Sequence, residues 1–137
     1  MRILGIDPGT KRVGLALSDE TGTIAHPLQF LPAQPAAKLL DLLKTCVAER
    51  QVEAIVVGIP RNMNGTYGPA AEQARAFVAA LQQVVTVPVH PWDERLTTVQ
   101  AQRVLIETGM RREKRKQRVD QIAAAILLQS YLDHASR

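Results

Sequence analysis

The chain has a single cysteine, Cys46, among its 137 residues. That excludes an internal disulfide and any cysteine-based zinc site. Its three histidines, His26, His90 and His134, show no ligand-like spacing either, so zinc is not expected. Long apolar runs are also missing. The longest, Ile122 to Leu128, is seven residues, against roughly 20 for a membrane-crossing helix. An acid already stands at position 7, which leaves no room for the apolar core of a secretory signal. A cytoplasmic protein with no membrane association is the expectation. Internal repeats and linker-like stretches are absent as well. With 46% apolar residues the chain can bury a real core, and one domain over residues 1–137 is expected.

Net charge is concentrated in one place. The whole chain carries +4. The segment Arg111-Arg112-Glu113-Lys114-Arg115-Lys116-Gln117-Arg118 alone carries +5, so the other 129 residues sum to −1. A solvated loop is the bland reading of such a run. Concentration this strong is better explained as an electrostatic footprint for a polyanion, and nucleic acid is favoured.

What is present is organised around the first strand and its turn, Ile3-Leu4-Gly5-Ile6-Asp7-Pro8-Gly9-Thr10. An apolar run ends in a carboxylate, so Asp7 is expected at the mouth of a sheet, where rigid backbone fixes a side chain better than a loop does. Arg12 to Asp19 alternates large and small residues, as a second strand should. A turn at Thr21-Gly22 and a third strand, Thr23 to Phe30, complete an antiparallel meander. Pro27 puts that strand near an edge. Ala36 to Arg50 reads as a helix with Leu39, Leu40, Leu43, Cys46 and Val47 on its apolar face, and Cys46 there is a small hydrophobe.

Ala54 to Ile59 is continuously apolar, the pattern of a parallel strand covered on both faces. The polar loop Arg61 to Tyr67 follows at its carboxyl end, where open α/β sheets bind ligands. Pro69 starts a helix that runs to about Val84, and Val85 to Val89 reads as a fifth strand. Thr97 and Gln100 have capping-box spacing, which predicts a helix to about Thr108, closed by Gly109. A last helix spans Val119 to His134. The order predicts a mixed five-stranded sheet, a three-strand meander plus two parallel strands, flanked by helices.

In that arrangement carboxylates converge. Asp7 ends the first strand, and Asp93 and Glu94 follow the fifth, at the same sheet edge. Asp120 shares a helical stripe with Ala124, Leu127 and Tyr131, which points it toward the sheet. Each acid alone has an ordinary reading: a turn residue, an ion-pair partner, a helix-start acid. Together they would repel one another unless a divalent cation joined them. Mg²⁺ or Mn²⁺ accepts oxygen ligands and can serve phosphodiester hydrolysis. Consecutive strand residues face opposite ways, so only one of Asp93 and Glu94 should enter the site, and Glu94 is preferred. His90 lies near the same edge as a candidate helper.

Four segments then carry a resemblance. They are Gly5-Ile6-Asp7-Pro8-Gly9-Thr10-Lys11-Arg12-Val13-Gly14-Leu15-Ala16; Gly58-Ile59-Pro60 with Asn62, Asn64 and Gly65; Asp93-Glu94-Arg95-Leu96-Thr97-Thr98; and Val119-Asp120 before an Ala-rich helix. Nearly end to end, the chain resembles the YqgF family, also called RuvX, of RNase H-like Holliday junction resolvases. The resemblance implies an RNase H-like fold and a Mg²⁺- or Mn²⁺-dependent endonuclease. Its metal-binding, catalytic acids would map to Asp7, Glu94 and Asp120. It implies two substrates, the four-way DNA junction and the 5′ end of precursor 16S ribosomal RNA. RuvC-type resolvases carry an acid at the end of the fourth strand, where this chain has Gly58-Ile59-Pro60, so Glu94 would replace it from the fifth.

On this reading Thr10, Lys11 and Arg12 contact the scissile region and Arg95 a phosphate. Arg61, Asn62 and Asn64, with Arg111, Arg112, Lys114, Arg115, Lys116 and Arg118, hold the nucleic acid. Junction cleavage needs paired cuts and so a homodimer; trimming of RNA needs one cut. The alternatives are a non-catalytic nucleic-acid-binding, transcription-associated module, and, ranked low, an actin-like nucleotide-binding fold suggested by Asp7-Pro8-Gly9-Thr10.

Overall fold

The computed structural model describes residues 1–60, 68–93 and 112–135. Its strands are β1 (Ile3–Asp7), β2 (Arg12–Ser18), β3 (Ala25–Pro27), β4 (Leu31–Pro32), β5 (Ala54–Ile59) and β6 (Val89–Asp93). The helices are α1 (Ala36–Glu49), α2 (Pro69–Val84) and α3 (Arg112–Ala135). The sheet order is β3-β2-β1-β5-β6, with β4 paired to β2 alone. β2 runs antiparallel to β1 and β3, while β5 runs parallel to β1 and β6. This is the expected meander joined to two parallel strands.

Alternation along the strands makes two faces. Leu4 and Ile6 of β1, Val13 and Leu15 of β2, and Ile55, Val57 and Ile59 of β5 pack with α1 and α2. Leu39 and Leu43 of α1 and Ala71, Ala74, Val78 and Leu81 of α2 close that core. Burying each large aliphatic side chain there stabilises the fold by roughly 1.5–3 kcal/mol. Cys46 joins it half-buried, and burial raises its thiol pKa, as suits a packing residue. The other face carries Ile3, Ala16, Ala54 and Val56 under Ala124, Ala125, Leu128 and Leu132 of α3.

α3 lies very close to this second face because the residues beneath it are small. A Cβ on Gly5 would stand 2.8 Å from the Leu128 Cβ and 3.3 Å from the Ala124 carbonyl oxygen. Only glycine admits the helix at that spacing.

The meander differs from expectation at its third strand. Pairing stops at Pro27 and resumes at Leu31. Ala16 pairs with Pro27 and Val13 with Leu31, so three residues stand opposite two. That is a β-bulge, and it explains why one predicted strand became β3 and β4. The parallel edge strand also starts later than expected. Val85 to Pro88 leads out of α2, and β6 carries the sheet on to Asp93. Pro91 is tolerated because β6 is an edge strand in the described sheet. The basic segment, expected ahead of the last helix, lies within it from Arg112 onward. The predicted helix from Thr97 to Thr108 lies outside the described residues.

Candidate functional site

Asp7 is the last residue of β1, half-buried, and pairs across with Gly14 of β2. Paired antiparallel residues point the same way, so both belong to the α3 face. A Cβ on Gly14 would lie 3.7 Å from the Asp7 Cβ and 3.6 Å from the Ala124 Cβ. Strand end and helix therefore meet at one point. The turn behind Asp7 is tight: a Cβ on Gly9 would collide with the Arg12 carbonyl oxygen. This turn folds back over the strand end and opens a cavity of about 230 Å³, lined by Asp7, Gly9, Thr10, Lys11, Arg12, Gly14 and Phe30.

Three of the expected nucleic-acid contacts, Thr10, Lys11 and Arg12, thus stand beside Asp7, all exposed. The Arg12 guanidinium carbon sits 4.6 Å from the centroid of the Phe30 ring. A cation over an aromatic face is worth roughly 0.5–1 kcal/mol at an exposed site. Phe30 is a site residue that sequence reasoning did not single out.

Asp93 is not brought to Asp7. In β6, Val89 packs into the α1 and α2 core, and alternation puts Asp93 on that same face. There it lines a separate cavity of about 410 Å³ with Arg75, Val78, Ala79 and Gln82 of α2. His90 is likewise held apart. It pairs with Val56 and stacks on Tyr131 at 6.2 Å between ring centroids. Tyr131 stands seven residues along α3 from Ala124, about 10 Å of helix. Trp92 also packs on Tyr131, with 5.4 Å between ring centroids, and its Nε1 donates to Ser130 Oγ at 3.4 Å. His26 lies exposed on the edge strand β3, and His134 packs beside Trp92 at 5.1 Å.

Glu94, Arg95, Arg61, Asn62, Asn64 and Arg111 lie outside the described residues. The backbone of Arg112, Lys114, Arg115, Lys116, Arg118 and Asp120 belongs to α3, and residue 120 precedes Ala124 by one turn. Among the described residues no three His, Cys, Asp or Glu side chains form a metal-holding cluster. Asp7 is the one expected carboxylate ligand whose side chain is described. Its hard oxygen donors beside an open cavity suit Mg²⁺ or Mn²⁺. No described helix is long and apolar enough to cross a membrane.

A mixed sheet in this order, with helices on both faces, defines an RNase H-like fold of the resolvase type. A Thermus thermophilus RuvC solved with a Holliday junction substrate has it too, at a TM-score of 0.57, 18% identity, and coverage of 98% of this chain and 96% of that one. The sequence pattern of the family described as "RuvX: Holliday junction resolvase" matches residues 1–134. A protein of Moorella thermoacetica named "Putative pre-16S rRNA nuclease" is 52% identical, over 97% of this chain and 95% of that protein. One of the same name from Halothermothrix orenii is 43% identical, over 100% and 98%. The chain belongs to the RuvX family, a nuclease family.

Proposed function

We propose that this chain is a divalent-metal-dependent endonuclease of structured nucleic acid, acting as one domain on the 5′ end of precursor 16S ribosomal RNA, with four-way DNA junctions as the second substrate to test. The observation that carries the reading is the meeting of the β1 end and α3. Asp7 stands on the α3 face beside Gly14 and Ala124, and residue 120 is one turn further toward the start of that helix.

Glu94 is the preferred third acid. Asp93, the alternative, occupies the α2 side of β6, away from the face that carries Asp7. Asp7, Glu94 and Asp120 would hold Mg²⁺ or Mn²⁺, which supplies charge neutralisation at the phosphodiester and an activated water. Thr10, Lys11 and Arg12 would bind and orient the phosphate at the cavity mouth. The basic residues of α3 would anchor the flanking backbone by charge, without reading sequence. The relatives' shared name supports the RNA substrate. The junction substrate would require a homodimer to make paired cuts.

Cleavage of both labelled substrates with Mg²⁺ or Mn²⁺ tests this, with Asp7→Asn as control. The variant should lose activity by on the order of a thousandfold while still binding. RNA cleavage alone confirms the proposed substrate. Symmetric junction cuts would make it a resolvase. An intact chain that binds both and cuts neither overturns the reading in favour of a binding module.

A further inference from the structure

Phe30 owes its place to one extra residue. In the register that pairs Ala16 with Pro27, a continuous strand would put Phe30 opposite Val13, on the α1 and α2 face. A one-residue slip moves a side chain to the other face. The Leu28 N–H still donates to the Leu15 carbonyl, at 2.8 Å, so residues 29 and 30 together stand opposite Gly14. Leu31 then takes the place beside Val13 and packs on the aliphatic core. Phe30 is turned to the side of Asp7. Its Cε1 lies 3.6 Å, an ordinary van der Waals distance, from the space a Gly14 Cβ would occupy. The face of the same ring carries the Arg12 guanidinium, 4.6 Å from the ring centroid.

We propose that Phe30 is a positioning residue. The bulge aims its ring into the Asp7 cavity, where it fixes the exposed Arg12 as a phosphate ligand before nucleic acid arrives. A free arginine side chain loses rotamer entropy when it is ordered on binding. A guanidinium lying over a ring is ordered already, and the ring contact itself uses none of its N–H donors, which lie in the guanidinium's own plane. The functional consequence rests on the nuclease reading above; the contact itself does not.

The test uses the full chain and the variants Phe30→Leu, which keeps apolar bulk without a ring, and Phe30→Tyr, which keeps the ring. The arginine Nε–Hε spectrum is recorded first, with no nucleic acid present. The Arg12 signal should be displaced by the ring current, return to the ordinary range in Phe30→Leu and stay displaced in Phe30→Tyr. An ordinary Arg12 signal in the unsubstituted chain overturns the proposal, whatever the protein cleaves.

Binding of the labelled RNA and the junction is then measured across a salt series. Phe30→Leu should weaken binding roughly threefold to tenfold, the scale of one charged contact. The slope of log K against log salt should fall by about one. Arg12→Ala should do the same, and the double variant little more. Phe30→Tyr should restore both affinity and slope. An unchanged slope in Phe30→Leu, or losses that add in the double variant, overturns the positioning role. Should the intact chain bind neither nucleic acid, the nuclease reading falls and the spectrum alone decides the contact.

Discussion

The two faces of the sheet are built from alternate residues of the same strands, yet they do different work. Toward α1 and α2 the strands present Leu4, Ile6, Val13, Leu15, Ile55, Val57 and Ile59, nearly all fully buried. Toward α3 they present Ile3, Gly5, Gly14, Ala16, Ala54 and Val56, most of them small. Large aliphatic residues hold the fold together and keep the helices at ordinary distance. Small ones let α3 sit almost on the strand backbone, which is what brings its chain alongside Asp7. Stability is concentrated on one side of the sheet and precision on the other.

The sharpest way to break that comparison is to damage the aliphatic face alone. Leu43 of α1 is fully buried, and Leu43→Ala should cost about 2–5 kcal/mol of stability. Cleavage per folded molecule should stay near the unsubstituted value. Denaturant unfolding and a cleavage assay normalised to folded protein check this together. A loss of specific activity would mean that the two faces are coupled.

The reverse experiment is Gly5→Ala. One methyl group meets Leu128 at 2.8 Å, so α3 must shift outward. The stability cost should be smaller, about 1–3 kcal/mol. Cleavage should nevertheless fall at least tenfold, because catalytic geometry tolerates less displacement than packing does. If activity per folded molecule survived, the close seat of α3 would be a packing feature and not a positioning one.

Much of this was legible in the residues. The apolar run ending at Asp7, the unbroken run Ala54 to Ile59 and Pro69 at the first turn of α2 each state their element through local chemistry. Strand alternation indicated that only one of Asp93 and Glu94 would face Asp7; Asp93 lies beside α2, and Glu94 lies outside the described residues. The bulge after Pro27 was not legible. It depends on how β4 pairs with β2 across the sheet, and no local signal encodes a pairing offset. Phe30 was missed for the same reason, since a lone aromatic in an apolar strand reads as core. The late start of β6 is similar. Val85 and Val87 look like strand residues, but they pack at the margin of the core, and pairing with β5 begins only at Val89. The basic run looked like a loop because its charges hide any apolar stripe, although nothing in Arg112 to Arg118 opposes a helix.

The smallest effect is expected at the turn between β2 and β3. The Asp19 carboxylate accepts hydrogen bonds from the Thr23 N–H at 2.9 Å, the Thr21 hydroxyl at 3.0 Å and the Ile24 N–H at 3.4 Å. The bond from Thr23 is the largest influence on its pKa, which is lowered from the ordinary aspartate value. A carboxyl with a depressed folded-state pKa stabilises the fold above its unfolded pKa of about 4. That contribution disappears as pH falls through the lower folded value. Asp19→Asn should therefore lower the unfolding midpoint slightly at neutral pH, and the two unfolding curves should converge as pH falls through the lowered folded-state pKa, where the aspartate itself becomes neutral. The turn meets α3 at Gln129, whose Nε2 donates to the Thr23 carbonyl at 2.9 Å, and Asp19→Asn leaves that bond in place, so cleavage should be unaffected. A measurable change in cleavage would extend the precise half of the molecule to the open end of the meander.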